Sequence, residues 1–190
     1  MNKSNFKILF PISAVLLTAI FSRCEKDASS QAFGNDNTQI FMPQATISAL
    51  RYTVPSGLDS ATRNYYIDAQ NNKVNIILGV AASGAQALST YTVNVVANTD
   101  TINQMISSGV LPAATTAVLP SSIYTLPATV TVASGVSAAP FYLSIDKTQL
   151  KTYAGKTLAL EVVINNPSKY AINASINKTI VLINVSALNL

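Results

Sequence analysis

Any chemistry in this sequence must be done without histidine: none occurs, and the one cysteine, Cys24, closes an apolar run near the start. A serine–histidine or cysteine–histidine relay is excluded, and a transition-metal site would lack its commonest nitrogen ligand. What remains for acid–base work are carboxylates, among them Asp36, Asp59, Asp68, Asp100, Asp146 and Glu161. Two carboxyl groups flanking a glycosidic bond would suffice for glycoside hydrolysis. Local patterns give most of these groups another task. Asp100 and Asp146 each precede a short helical pattern and read as caps, Asp59 and Asp68 stand in turns, and Glu161 falls on the outward phase of a strand. No closely spaced acidic triplet suggests a calcium loop. The reading is a protein that is not an enzyme and carries no cofactor or metal.

Binding is the alternative to catalysis. Sugar rings stack on exposed aromatic faces, and with tryptophan absent that work falls to tyrosine. Tyr65 and Tyr66 are adjacent, so on a strand they point to opposite faces, one buried and one exposed. Tyr142 alternates out of phase with Phe141, Leu143 and Ile145 and is expected to face outward. Tyr65, Tyr66 and Tyr142 are the candidate ligand-binding residues. The competing assignment has them cover sheet surface or seal the ends of the fold, a usual place for half-buried tyrosines.

The residues ahead of this cargo form an address. Lys3 and Lys7, an apolar run over residues 8–21 and then Cys24 resemble a bacterial lipoprotein signal, with the cysteine becoming the lipid-bearing first residue after cleavage. Arg23 departs from the small residue such signals place before the cysteine. The run is too short to span a bilayer, and Pro11 interrupts it. Residues 1–23 are thus expected to be a signal peptide and 24–38 a flexible polar tether, with Glu25, Lys26 and Asp27 resembling the charged tether of surface-exposed Bacteroidetes lipoproteins. Three of the twelve basic residues lie in residues 1–23, so the remainder keeps nine against eight acidic ones, a net charge of +1. A near-neutral chain with no basic cluster has no electrostatic footprint for nucleic acid. The membrane is expected to be a partner through the lipid alone. Two triplets, Asp59-Ser60-Ala61 and Asp100-Thr101-Ile102, resemble acceptors for O-glycosylation of exported proteins; the second also reads as a helix start, which leaves Ser60 as the candidate.

Residues 39–190 must then position the tyrosines, and their pattern is that of one all-β domain with no room for another. Short alternating runs separated by turn residues predict an immunoglobulin-like antiparallel β-sandwich with one or two short helices. In residues 73–81 the side chains Val74, Ile76, Leu78 and Val80 share a face, and in 91–97 Tyr91, Val93, Val95 and Ala97 do the same. Asp100 or Thr101 is expected to start a helix whose stripe of Ile102, Met105 and Ile106 lids one open end of the sandwich, with Gly109 as its stop. Residues 110–122, with Pro112 and Pro120 among small residues, read as a loop or an irregular crossing. Leu158, Leu160, Val162 and Ile164 make a later inner face, and residues 179–185, apolar on both faces, a central strand.

The second half carries a family likeness. Tyr124-Thr125-Leu126-Pro127, Val130-Thr131-Val132, Ser134-Gly135, residues 141–146, Leu150 and residues 158–164 resemble the N-terminal domain of Bacteroidetes surface lipoproteins grouped as DUF1735. The likeness covers residues 38–186. It implies an immunoglobulin-like sandwich on a lipid anchor in glycan-using bacteria, and family members often add a second domain. The expected location is the outer membrane, at the cell surface or on the periplasmic face. The expected role is an accessory binding module of a polysaccharide-capture system, with polysaccharide or outer-membrane protein partners. The alternative is a structural or adhesin-like surface scaffold that binds other proteins.

Overall fold

The computed structural model describes residues 38–57, 59, 61–84 and 88–190. The signal peptide, Cys24, nearly all of the tether, Asp36 and Ser60 lie outside these residues. Among the described residues, twelve strands form two sheets. The first contains β1 (Gln39–Phe41), β3 (Tyr65–Asp68), β4 (Lys73–Ala82), β7 (Tyr124–Thr125), β9 (Ala138–Asp146) and β11 (Ala171–Ile172), in the order β11-β1-β4-β9-β7 with β3 following β1 along the same edge of β4. The second contains β2 (Arg51–Val54), β5 (Tyr91–Asn98), β6 (Thr116–Val118), β8 (Thr129–Val132), β10 (Thr157–Asn165) and β12 (Lys178–Asn184), in the order β2-β12-β10-β5-β8 with β6 also on β10. The sandwich is mainly antiparallel, but β1–β11, β2–β12 and β6–β10 pair in parallel. All three involve strands of two to four residues.

Alternation decides what lies between the sheets. Val74, Ile76, Leu78 and Val80 of β4 and Phe141, Leu143 and Ile145 of β9 face Tyr91, Val93 and Val95 of β5 and Leu158, Leu160, Val162 and Ile164 of β10 in one buried cluster. Ala97, expected on that inner face, is exposed at the end of β5. The strand at residues 178–184 is central, between β2 and β10, as its two apolar faces require. The segment 110–122, read as a loop, contains β6, whose three residues are too few to show a period.

The helix α1 (Asp100–Ser107) is where expectation and structure part. Its stripe does not lid an end of the sandwich. Ile102 packs with Leu111, Ala159 and Ile180 in a second cluster on the outer face of the second sheet, joined by Met105 and Ile106. A helical period identifies the apolar stripe and says nothing of which surface it covers. Neither Asp100 nor Thr101 caps the helix: Asn98 Oδ1 accepts the Asp100 N–H at 3.0 Å, while Thr101 Oγ1 donates to Glu161 Oε2 at 2.8 Å. Gly109 follows the last turn at φ +76°, a conformation that favours glycine. The cap read at Asp146 is present: its Oδ1 accepts from Gln149 N at 2.9 Å at the start of α2 (Lys147–Lys151).

Candidate functional site

Tyr65 and Tyr66 do part to opposite faces. Tyr65, opposite Ile76, is buried and donates its hydroxyl to Leu188 O at 3.2 Å. Tyr66, opposite Asn75, stays 44% exposed on the outer face of the first sheet, and Tyr142, opposite Ile77, stays 39% exposed on the same face. β3 and β9 flank β4 in a register that brings them together across it: the rings meet edge to face, centroids 5.6 Å apart and planes at 88°. Beneath them Ser144 donates to Asn75 Oδ1. Of the three candidate tyrosines, two form one exposed aromatic pair and the third belongs to the core. Burial of part of its ring raises the Tyr66 hydroxyl above its ordinary pKa, so it remains a neutral donor at physiological pH.

A sandwich has two lateral openings, and this one treats them differently. Along the β2 side, Tyr52 Oη donates to Ile77 O at 3.1 Å and Asn64 Nδ2 to Thr53 O at 2.8 Å, while Asn64 Oδ1 accepts from Ser56 N at 2.8 Å. These bonds stitch the first sheet to the second. On the opposite side, β8 and β9 diverge from the turn at Gly135, and a groove of about 550 Å³ opens between them. Its walls carry Thr125, Thr129, Thr131, Ser144, Pro127, Pro140 and the ring of Tyr142, over a floor that includes Val130 and Phe141.

The groove is bordered by free strand edges. Ile77 and Gly79 send their N–H groups away from β9, to Asn64 O and Gln44 Oε1, so their partners Tyr142 and Pro140 must also turn their main-chain groups away from β4. On β8, the Val95 N–H bonds to Ala128 O, and Thr92, opposite Thr131, bonds instead to Ser168; by the same alternation Thr129 and Thr131 face outward. The edges thus present the N–H and C=O groups of Thr129, Thr131 and Tyr142. Pro140, with no N–H to offer, stands in the middle of the β9 edge, a residue that discourages pairing with a further strand.

Among the described residues, the groove lining has no charged side chain. From Val74 to Ile145 the sequence carries a single charge, Asp100, at the start of α1 and beyond the part of β5 that β8 reaches. This run, together with the threonine alternation of residues 125–131, is the signal in the sequence that could have pointed to the groove; charge counted over the whole chain hides it. A smaller hollow of about 300 Å³ lies on the other side of the aromatic pair, lined by Arg63, Tyr65, Tyr66, Ile67, Leu188 and Asn189.

The carboxylates are engaged elsewhere. Asp59 accepts from Ala61 N, Thr62 N and Thr62 Oγ1 within a turn held by Gly57, where a Cβ would collide with the Thr62 carbonyl. The Thr62 hydroxyl, more than any other contact, keeps the Asp59 carboxyl below its ordinary pKa, and the Asn71 side chain does the same for Asp68. A general acid needs the opposite shift. Glu161, expected on an exposed strand face, is 2% exposed: α1 covers it, and it accepts from Asn98 Nδ2 and Thr101 Oγ1, both at 2.8 Å, with Lys178 Nζ at 3.4 Å. Among the described residues no three acidic or sulfur side chains gather closely enough to hold a metal ion.

A family model described as an N-terminal domain matches residues 35–171, and the fold recurs in a multidomain protein including DUF1735 from Bacteroides ovatus, with TM-score 0.52 and 16% identity over 77% of this chain and 44% of that one. The chain belongs to the DUF1735 family. The DUF1735 domain also resembles a candidate carbohydrate binding protein from Bacteroides ovatus, with TM-score 0.51 and 12% identity over 76% of this chain and 36% of that one. A third structure from that organism, of unknown function, gives TM-score 0.50 and 14% identity over 78% and 52%. This chain therefore spans about a third to a half of the structures it resembles, and at these identities the likeness is one of fold. None of the curated proteins compared with it matches.

Proposed function

We propose that this DUF1735 domain is a non-catalytic binding module for polysaccharide, an accessory to a capture system, held at the outer membrane by lipid on Cys24. The observation that carries the reading is the exposed Tyr66–Tyr142 pair beside an open groove walled by hydroxyls. A pyranose offers an apolar C–H face to an aromatic ring and hydroxyls that both donate and accept, and the groove offers a ring, threonine hydroxyls and unpaired main-chain groups within one volume. The shared fold with a candidate carbohydrate binding protein supports the reading. The lipid and the surface location rest on the pattern of residues 3–27. Ser60, in the Asp59-Ser60-Ala61 triplet, is proposed as an O-glycan acceptor, and an unmodified mass for protein taken from its own membranes would refute that.

Affinity electrophoresis of the mature chain through gels holding plant, host and microbial polysaccharides tests the binding. Retardation by one class, weakened in Tyr142→Ala and Tyr66→Ala, is the expected result. Silence across the set from folded protein would move the assignment to a surface scaffold that binds protein. The free edges of β8 and β9 favour that second reading, Pro140 opposes it, and crosslinking on intact cells would then find the partner.

A further inference from the structure

We propose that the groove between β8 and β9 takes uncharged polysaccharide, and that the open main-chain edges facing it are the hydrogen-bonding elements that select such chains over anionic ones. The inference rests on the glycan reading and adds the ligand class. A carboxylate or sulfate entering the groove loses water and needs a cation or several donors in return. The lining supplies no cation, and Arg63 lies in the hollow beyond the aromatic pair.

The inventory of polar groups points the same way. Thr125, Thr129, Thr131 and Ser144 carry hydroxyls that both donate and accept, and each free edge alternates N–H with C=O. A neutral sugar hydroxyl matches both kinds of group. A carboxylate or sulfate oxygen only accepts, so the carbonyls of Thr129, Thr131, Pro140 and Tyr142 would lose their water without gaining a donor. The run from Val74 to Ile145, whose one charge is Asp100 beyond the part of β5 that β8 reaches, extends this condition to the strands around the groove. An uncharged surface also suits contact with a second copy of the chain, but strand-to-strand pairing would have to pass Pro140.

The test sets the mature protein against neutral chains (arabinoxylan, galactomannan, yeast mannan, amylopectin) and anionic ones (polygalacturonate, alginate, heparin) by affinity electrophoresis. Tyr142→Ala and Thr131→Lys are run alongside, with circular dichroism and urea midpoints to confirm folding and light scattering to follow mass. Retardation by at least one neutral chain and by no anionic chain is expected. Tyr142→Ala should weaken it about tenfold or more, the scale of a central aromatic contact, and Thr131→Lys should weaken it as well. Binding of anionic chains alone would overturn the neutral class while leaving the glycan reading in place. Neutral binding unchanged in both variants would overturn the groove as its location. No retardation by any chain would overturn the glycan reading and this inference with it. A dimer that Thr131→Lys dissociates, in protein that binds no chain, would assign the groove to self-association instead.

Discussion

Four tyrosines that look alike in the sequence have three different energetic roles. Tyr65 gives its hydroxyl to Leu188 O, so Tyr65→Phe should cost about 1 kcal/mol of stability in urea unfolding. Tyr91, 1% exposed and packed edge to face on Tyr170, has a hydroxyl with no hydrogen-bond partner among the described residues. Removing it relieves an unsatisfied polar group, so Tyr91→Phe should leave stability at pH 7 unchanged or raise it by up to about 1 kcal/mol. Burial pushes the Tyr91 hydroxyl from 10.0 up to about 12. Below pH 10 folded and unfolded chains both keep this proton; between about 10 and about 12 only the unfolded chain releases it, so stability falls as pH rises through that window. Tyr91→Phe should make the fall shallower, which urea midpoints across the range would show. Tyr66→Ala and Tyr142→Ala, being exposed, should change stability by less than about 1 kcal/mol. Alternation told these residues apart by face, correctly for Tyr65 and Tyr66. It could not show that Tyr66 and Tyr142, far apart in sequence, would touch, because that depends on β4 lying between them.

At the scale of elements, α1 is fastened to the second sheet by two devices. One is apolar, Ile102 against Ala159, Ile180 and Leu111; the other is polar, Glu161 receiving Asn98, Thr101 and Lys178. Glu161→Gln keeps the shape but weakens every one of these charge-assisted bonds and should cost about 2 kcal/mol. Ile102→Ala should cost about 3 kcal/mol through the cavity it leaves. In either variant hydrogen exchange should quicken first in residues 99–109 while β4 and β9 stay protected; uniform acceleration would mean that α1 is no separate unit. The sequence showed the helix, its stripe and its glycine stop. It did not show Glu161 as buried, because period 2 says which face a residue takes and not whether another element covers that face.

For the whole molecule, four long strands, β4, β5, β9 and β10, were readable from alternation because each buries at least three apolar side chains on one side. The short parallel strands were not, since two or three residues carry no period. The groove is a property of topology: it exists because β8 and β9, neighbours in sequence, belong to different sheets, and because the side chains that close a sandwich, Tyr52 and Asn64, are on the other flank. With no carboxylate in its lining, polysaccharide retardation should be the same in EDTA as in calcium, and loss of binding in EDTA would place the ligand elsewhere. The scarcity of charge in this run has one more outcome. Trypsin cuts after lysine or arginine, and none occurs between Lys73 and Lys147. Every residue of the groove therefore travels in one uncut fragment even when the chain is fully unfolded, so this face is indigestible to trypsin whatever its folding state.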